Sequence, residues 1–153
     1  MSDQAKTEGL LPPVAQLGII VKDIQKAADF YTKLGLGPFH IMEADVEGFT
    51  YKGKDAPHKV KLGYNRSNPH IELVQPVSGD TPNSDFLKEK GEGISHLAFN
   101  IDFDEFDSVI EKLAAEGIKP IFYRYTADGK YAYVDSDKTG GLMFELMAPK
   151  KKQ

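Results

Sequence analysis

The chain has 153 residues, 41% of them hydrophobic and 27% charged, which suits one globular domain or two small modules sharing a core. It contains no cysteine, so disulfides, thiolate metal sites and cysteine nucleophiles are excluded, and a reducing, cytoplasmic setting is expected. A net charge of −4 with scattered basic residues argues against a nucleic-acid partner, and neither a membrane span of roughly 18 apolar residues nor the pattern of a signal peptide is visible.

Residues 1–13 read as a flexible tail closed by Pro12-Pro13. A strand follows over Val14–Val21, with Leu17, Ile19 and Val21 on one face and Gln16 on the other. Asp23 can cap a helix in which Ile24, Ala27, Ala28, Tyr31 and Leu34 recur at helical spacing, stopped by Gly35 and Gly37. Strand-like segments are expected at about 38–44, 49–52, 59–65 and 70–75. A connector over 77–93 carries a short helical piece around Phe86-Leu87. The pattern then repeats. A strand over 94–101 leads to a helix striped by Phe106, Val109, Ile110 and Leu113, then strands at 120–125, 130–135 and 142–147, and a basic tail over 150–153.

The repeat extends to individual residues. Gln16-Leu17-Gly18-Ile19-Ile20-Val21 lies over His96-Leu97-Ala98-Phe99-Asn100-Ile101, 80 residues on. Ile71-Glu72-Leu73-Val74-Gln75-Pro76 lies over Phe144-Glu145-Leu146-Met147-Ala148-Pro149, 73 residues on. These offsets divide the chain into two βαβββ modules, residues 14–76 and 94–149. Each module offers one polar residue on its first strand and one glutamate on its last, all pointing away from the apolar face: Gln16 and Glu72, then His96 and Glu145. Alone, each would read as a polar residue facing solvent from a half-exposed sheet. In register across a duplication they predict convergence on a concave face, where one imidazole, two carboxylates and an amide oxygen suit Zn²⁺, Mn²⁺, Co²⁺ or Ni²⁺. His70 shares the face of Glu72 and reads as a surface histidine with a ligand role as the alternative, whereas His40 and His58 read as loop residues. Tyr131, Tyr133 and either Phe122 or Tyr123 are candidates to face the cavity, implying a fairly apolar substrate group.

These motifs, with Gly91-Glu92-Gly93-Ile94-Ser95-His96-Leu97-Ala98-Phe99 and Lys138-Thr139-Gly140-Gly141-Leu142-Met143-Phe144-Glu145-Leu146, resemble the vicinal oxygen chelate (glyoxalase) superfamily, and within it most closely the methylmalonyl-CoA epimerase family. The resemblance spans about residues 14–148. It implies an α+β fold in which two tandem βαβββ modules form a curved, mostly antiparallel sheet around a metal cavity, in a homodimer. It puts the metal ligands at Gln16, Glu72, His96 and Glu145. Epimerases usually carry histidine at the first of these positions, so the Gln, Glu, His, Glu set is similar to that of glyoxalase I. Some epimerases also place a second acid–base carboxylate on the strand that here reads Val60-Lys61-Leu62, where Lys61 stands.

The implied chemistry is proton transfer α to a carbonyl or thioester through a metal-stabilised enolate. The catalytic candidates are Glu145, with Glu72 as the alternate, and Lys61. If Lys61 points into the cavity it can hold an anionic substrate group, act as a second acid–base group, or extend to the rim with its charge in water. The expected partner is a small molecule, an acyl-CoA or another acidic carbonyl compound. A glyoxalase I-type lyase acting on a hemithioacetal and a non-catalytic binding protein are the alternative readings.

Overall fold

The computed structural model describes residues 9–134 and 139–152. In chain order the elements are β1 (Gln16–Ile20), α1 (Ile24–Lys33), β2 (His40–Val46), β3 (Thr50–Tyr51), β4 (Lys54–Asp55) and β5 (His58–Tyr64). They continue with β6 (His70–Ser78), α2 (Pro82–Lys90), β7 (Gly93–Asn100), α3 (Phe106–Ala115), β8 (Pro120–Tyr125), β9 (Gly129–Val134) and β10 (Met143–Pro149). Most of the expected N-terminal tail, the expected strand end at Asp135, Lys138 and Gln153 lie outside the described residues.

Local chemistry accounts for the helix ends. Asp23 accepts from the Lys26 amide at 3.1 Å and starts α1. Thr81 and Ser84 cap α2 reciprocally, with Pro82 in its first turn, so the connector holds a nine-residue helix rather than a short piece. His40 and His58 open β2 and β5 instead of lying in loops. The β3–β4 turn places Lys52 and Gly53 both at positive φ, 52° and 74°, the backbone that a two-residue hairpin needs.

The strands of the described residues join one sheet in the order β2-β5-β6-β1-β7-β10-β9-β8-β3-β4, and among them only β1/β6 and β7/β10 run parallel. This is the mixed α+β architecture of a curled half-barrel. The two parallel pairings repeat in register: Gln16 opposes His70 and Gly18 opposes Glu72, while His96 opposes Met143 and Ala98 opposes Glu145. Closure can be read from chain length. β3 pairs with β8 near one end of the sheet, although residues 47–49 alone join it to β2 at the other end. Four residue steps reach at most roughly 14 Å, so the sheet must curl until its two ends almost meet. The β3–β4 hairpin crosses that gap.

The convex face is apolar and covered by helices. α1 sets Ile24 and Ala28 on Leu73 and Ile71, and α3 sets Phe106, Val109 and Leu113 on Phe99, Ala132 and Leu146. Burying Phe106 completely contributes about 1.5–3 kcal/mol. Inside the curl, Phe86 and Leu87 of α2 pack on Ile20, Val60 and Val74, and the hairpin's Tyr51 packs with Phe49 on Phe122. Between these two plugs the concave face remains open as a cavity of about 460 Å³.

Candidate metal centre

Strand alternation carries the four expected donors to the concave side. Gln16, Glu72 and Glu145 line the cavity, and His96 is fully buried beside it. Two small residues stand at the middle of the set. Gly18 lies between Glu72 of β6 and His96 of β7, and Ala98 lies between Gln16 of β1 and Glu145 of β10. Gly18 is required sterically, because a Cβ there would fall inside the His96 imidazole.

His96 Nε2 lies 3.0 Å from a Glu72 carboxylate oxygen and 3.4 Å from one of Glu145. Donor atoms of the three residues all fall within 4.8 Å of one another. The other ring nitrogen, Nδ1, is 3.1 Å from Ser95 Oγ, which can donate in turn to the Gly18 carbonyl at 3.5 Å. With Ser95 Oγ donating to the Gly18 carbonyl, Nδ1 can carry a proton, and an ion bound between the carboxylates would then meet the Nε2 lone pair. Gln16 Oε1 and His96 Nε2 are both buried without a hydrogen-bond partner. An imidazole lone pair, two carboxylates and an unsatisfied amide oxygen form a borderline-hard donor set suited to a divalent ion, so the residues present fit such an ion.

Each carboxylate is faced by a tyrosine on the next strand. Tyr64 opposes Glu72 and Tyr133 opposes Glu145, close enough for the charge of each carboxylate to act on the facing hydroxyl. Asn83 Nδ2 donates to Tyr133 Oη at 3.3 Å and ties that tyrosine to α2. Burial pushes the Glu145 carboxyl up to about 8; His96 and the Tyr133 hydroxyl pull it down, while the Glu72 charge adds to the rise. For His96, burial alone would lower the pKa, but the adjacent Glu72 and Glu145 carboxylates outweigh it and raise it. Burial also raises both tyrosines.

Lys61 departs from expectation. Val60, Leu62 and Tyr64 line the cavity, so Lys61 and Gly63 take the other face of β5, where Gly63 lies against Ile24 of α1. Lys61 stands opposite Glu43 and Gln75 and does not reach the substrate side. The period of two was right and the assignment of faces was wrong, because the apolar residues of β5 face an apolar cavity rather than the core. His70 is exposed at the cavity wall, with Nδ1 2.9 Å from the Asn65 carbonyl, and is not part of the Glu72–His96–Glu145 group. Tyr131, Tyr133 and Phe122 do face the cavity. Sequence reading missed Tyr64, Asn83 and Arg124; only Tyr64 left a signal, its alternation with Val60 and Leu62.

A family model described as Glyoxalase/Bleomycin resistance protein/Dioxygenase superfamily matches residues 15–134. The chain belongs to that superfamily. It is 30% identical over 142 residues to the uncharacterized protein YqjC of Bacillus subtilis (strain 168), covering 90% of this chain and 92% of that protein. Among solved structures it is similar to methylmalonyl-CoA epimerase from Mycobacterium tuberculosis, with a TM-score of 0.68 and 22% identity over 93% of this chain and 91% of that one. It is also similar to a variant of Streptomyces coelicolor methylmalonyl-CoA epimerase in complex with 2-nitronate-propionyl-CoA, with a TM-score of 0.64 and 16% identity over 94% and 98% of the two chains. At these identities the likeness concerns the fold. The glyoxalase-superfamily architecture and its epimerase-like form are therefore those the sequence motifs implied.

Proposed function

We propose that this member of the superfamily is a divalent-metal-dependent isomerase that moves a proton at a carbon adjacent to a carbonyl or thioester, as an epimerase does. The carrying observation is the pair of carboxylates, Glu72 and Glu145, converging on one imidazole nitrogen from opposite strands of an apolar cavity. A bound ion held by Gln16, Glu72, His96 and Glu145 would supply Lewis acidity that favours enolate formation. The chain's own residues do the rest. Glu145, on the cavity wall 3.4 Å from His96 Nε2, is the carboxylate placed to take the α-proton from a substrate carbon and to return it. Tyr133, held by Asn83, keeps that carboxylate oriented. Glu72 reaches the same imidazole nitrogen from the other strand pair and would help hold the ion there. Val60, Leu62 and Phe122 exclude water and accept an apolar substrate body.

Gln16 supports a second reading, a lyase acting on a hemithioacetal, because it stands where epimerases usually carry histidine. The proposal takes the chain as two repeated modules, 14–76 and 94–149, in a cytoplasmic homodimer that sedimentation would test. No helix among the described residues is long and apolar enough to cross a membrane. The deciding assay is turnover of methylmalonyl-CoA against the hemithioacetal of methylglyoxal, with α-proton exchange followed in D₂O. The proposal predicts exchange that Glu145→Gln abolishes; exchange at the wild-type rate in that variant would refute it.

A further inference from the structure

Four buried polar atoms among the described residues lack a hydrogen-bond partner, and all four belong to residues at the cavity. Two belong to the donor set already described. A third, Asn83 Oδ1, sits beside Tyr133. The fourth is Nε of Arg124 on β8, and nothing in the proposed proton transfer uses it. Arg124 lines the cavity with its guanidinium 5.1 Å from the Phe49 ring centre and 5.5 Å from that of Tyr131. Its Nη1 donates to the Glu47 carbonyl at 3.3 Å, and no carboxylate of the described residues pairs with it. Lys59, another cation at the cavity, already faces Glu43 at 4.0 Å and Asp45 at 3.7 Å.

We infer that Arg124 is the anion anchor of this cavity, and that the substrate is a compact carbonyl compound carrying a carboxylate away from its reacting carbon. The inference rests on the reading of the cavity as the substrate site. An arginine held between aromatic rings with no carboxylate of the described residues beside it keeps its charge available, and its planar fork matches a carboxylate better than a point charge would. Among the described residues Arg124 is the one cavity-lining Lys or Arg without a carboxylate partner, which suits a monoanion; a phosphate dianion would call for more donors. Position fits as well. Arg124 opposes Tyr131, Tyr131 opposes Met147, and Glu145 is the next residue of β10 on the same face. Two strand spacings across and one residue pair along put Arg124 roughly 12 Å from Glu145 backbone to backbone, leaving the middle of the cavity for an apolar spacer. The phosphates of a coenzyme A ester would lie outside a 460 Å³ cavity, so this anchor selects the acyl portion or a free acid. The anion-holding role, one of the three open to Lys61 in the sequence, thus passes to Arg124.

The test uses the full chain, with and without Zn²⁺, titrated by NMR with phenylacetate, phenylacetamide and phenyl phosphate. The acid should bind about tenfold or more tightly than the amide, in the metal-free chain as well. Arg124→Met should erase that preference while leaving amide binding and Zn²⁺ uptake unchanged, and Arg124→Lys should restore part of it. An acid-to-amide ratio that survives in Arg124→Met would overturn the anchor, even if that variant melts earlier through loss of the Glu47 contact. No acid preference in the wild type would also overturn it, and a preference for phenyl phosphate would overturn the carboxylate assignment. Because the ratio is read without metal, failure of the isomerase reading, seen as no Zn²⁺ uptake, is distinguishable from failure of the anchor.

Discussion

The first half of the site sets Gln16 and Glu72 on a parallel strand pair and faces the glutamate with Tyr64; the second half sets His96 and Glu145 on the equivalent pair and faces that glutamate with Tyr133. The scaffold repeats, but the chemistry differs. In the second half the polar group of the first strand is an imidazole, and its ring occupies the space that only a glycine, Gly18, leaves free on the neighbouring strand. In the second half, too, the tyrosine is fastened to the connector helix through Asn83. Repetition explains where the donors stand, and divergence explains why one carboxylate is the better candidate for moving a proton.

Breaking the comparison in the cores should have the largest effect. Phe106 and Ile24 open the two equivalent helices and are 0% and 3% exposed. Phe106→Ala should cost about 3–5 kcal/mol and Ile24→Ala about 2–5, read from denaturant midpoints, with the second half losing more. The reverse order would show that the first half carries the fold. At the centre of the site, Gly18→Ala should displace His96 and weaken divalent-ion binding by roughly 10–100-fold, whereas Ala98→Gly should change it little. Equal losses at the two positions would contradict the asymmetry. On the facing strands, Tyr133→Phe should slow α-proton exchange by about tenfold, the worth of one hydrogen bond to a charged group, and Tyr64→Phe by less.

Legibility followed the distance over which the determinants act. The donors on β1, β6, β7 and β10 could be read because two copies of one alternating pattern agree, so each face is identified twice. β5 had no such check at Lys61. A register shift between Lys59 and Val60 interrupts its pairing with β6, and its apolar side turns to the cavity. Arg124 and Asn83 acquire meaning only through the hairpin that crosses to β8 and the capped helix in the connector, long-range arrangements without a local signature. Gly18 looked like an ordinary strand glycine until a ring 78 residues away was found lying on it.

The smallest expected effect concerns that crossing. Asp85 of α2 accepts from Tyr51 at 2.8 Å and from Lys52 at 3.0 Å, fixing the hairpin to the connector helix. Burial works against its charge, but the Lys52 and Tyr51 hydrogen bonds outweigh it and hold the carboxyl below the usual range. A lowered native pKa contributes stability that is complete above about pH 4 and fades as the pH falls through the native value. Lys52 is largely exposed, so Asp85→Asn should cost less than about 1 kcal/mol near neutrality and remove that acid-side loss in a pH series of melts.

The account stands on the claim that Gln16, Glu72, His96 and Glu145 together hold a divalent ion. The direct measurement is elemental analysis of the purified chain after reconstitution with Zn²⁺, Mn²⁺, Co²⁺ or Ni²⁺, beside His96→Ala treated in the same way. The account predicts about one ion per chain in the wild type and loss of that ion in His96→Ala. A wild-type chain that binds none of these ions, or a variant that retains the ion undiminished, would contradict it.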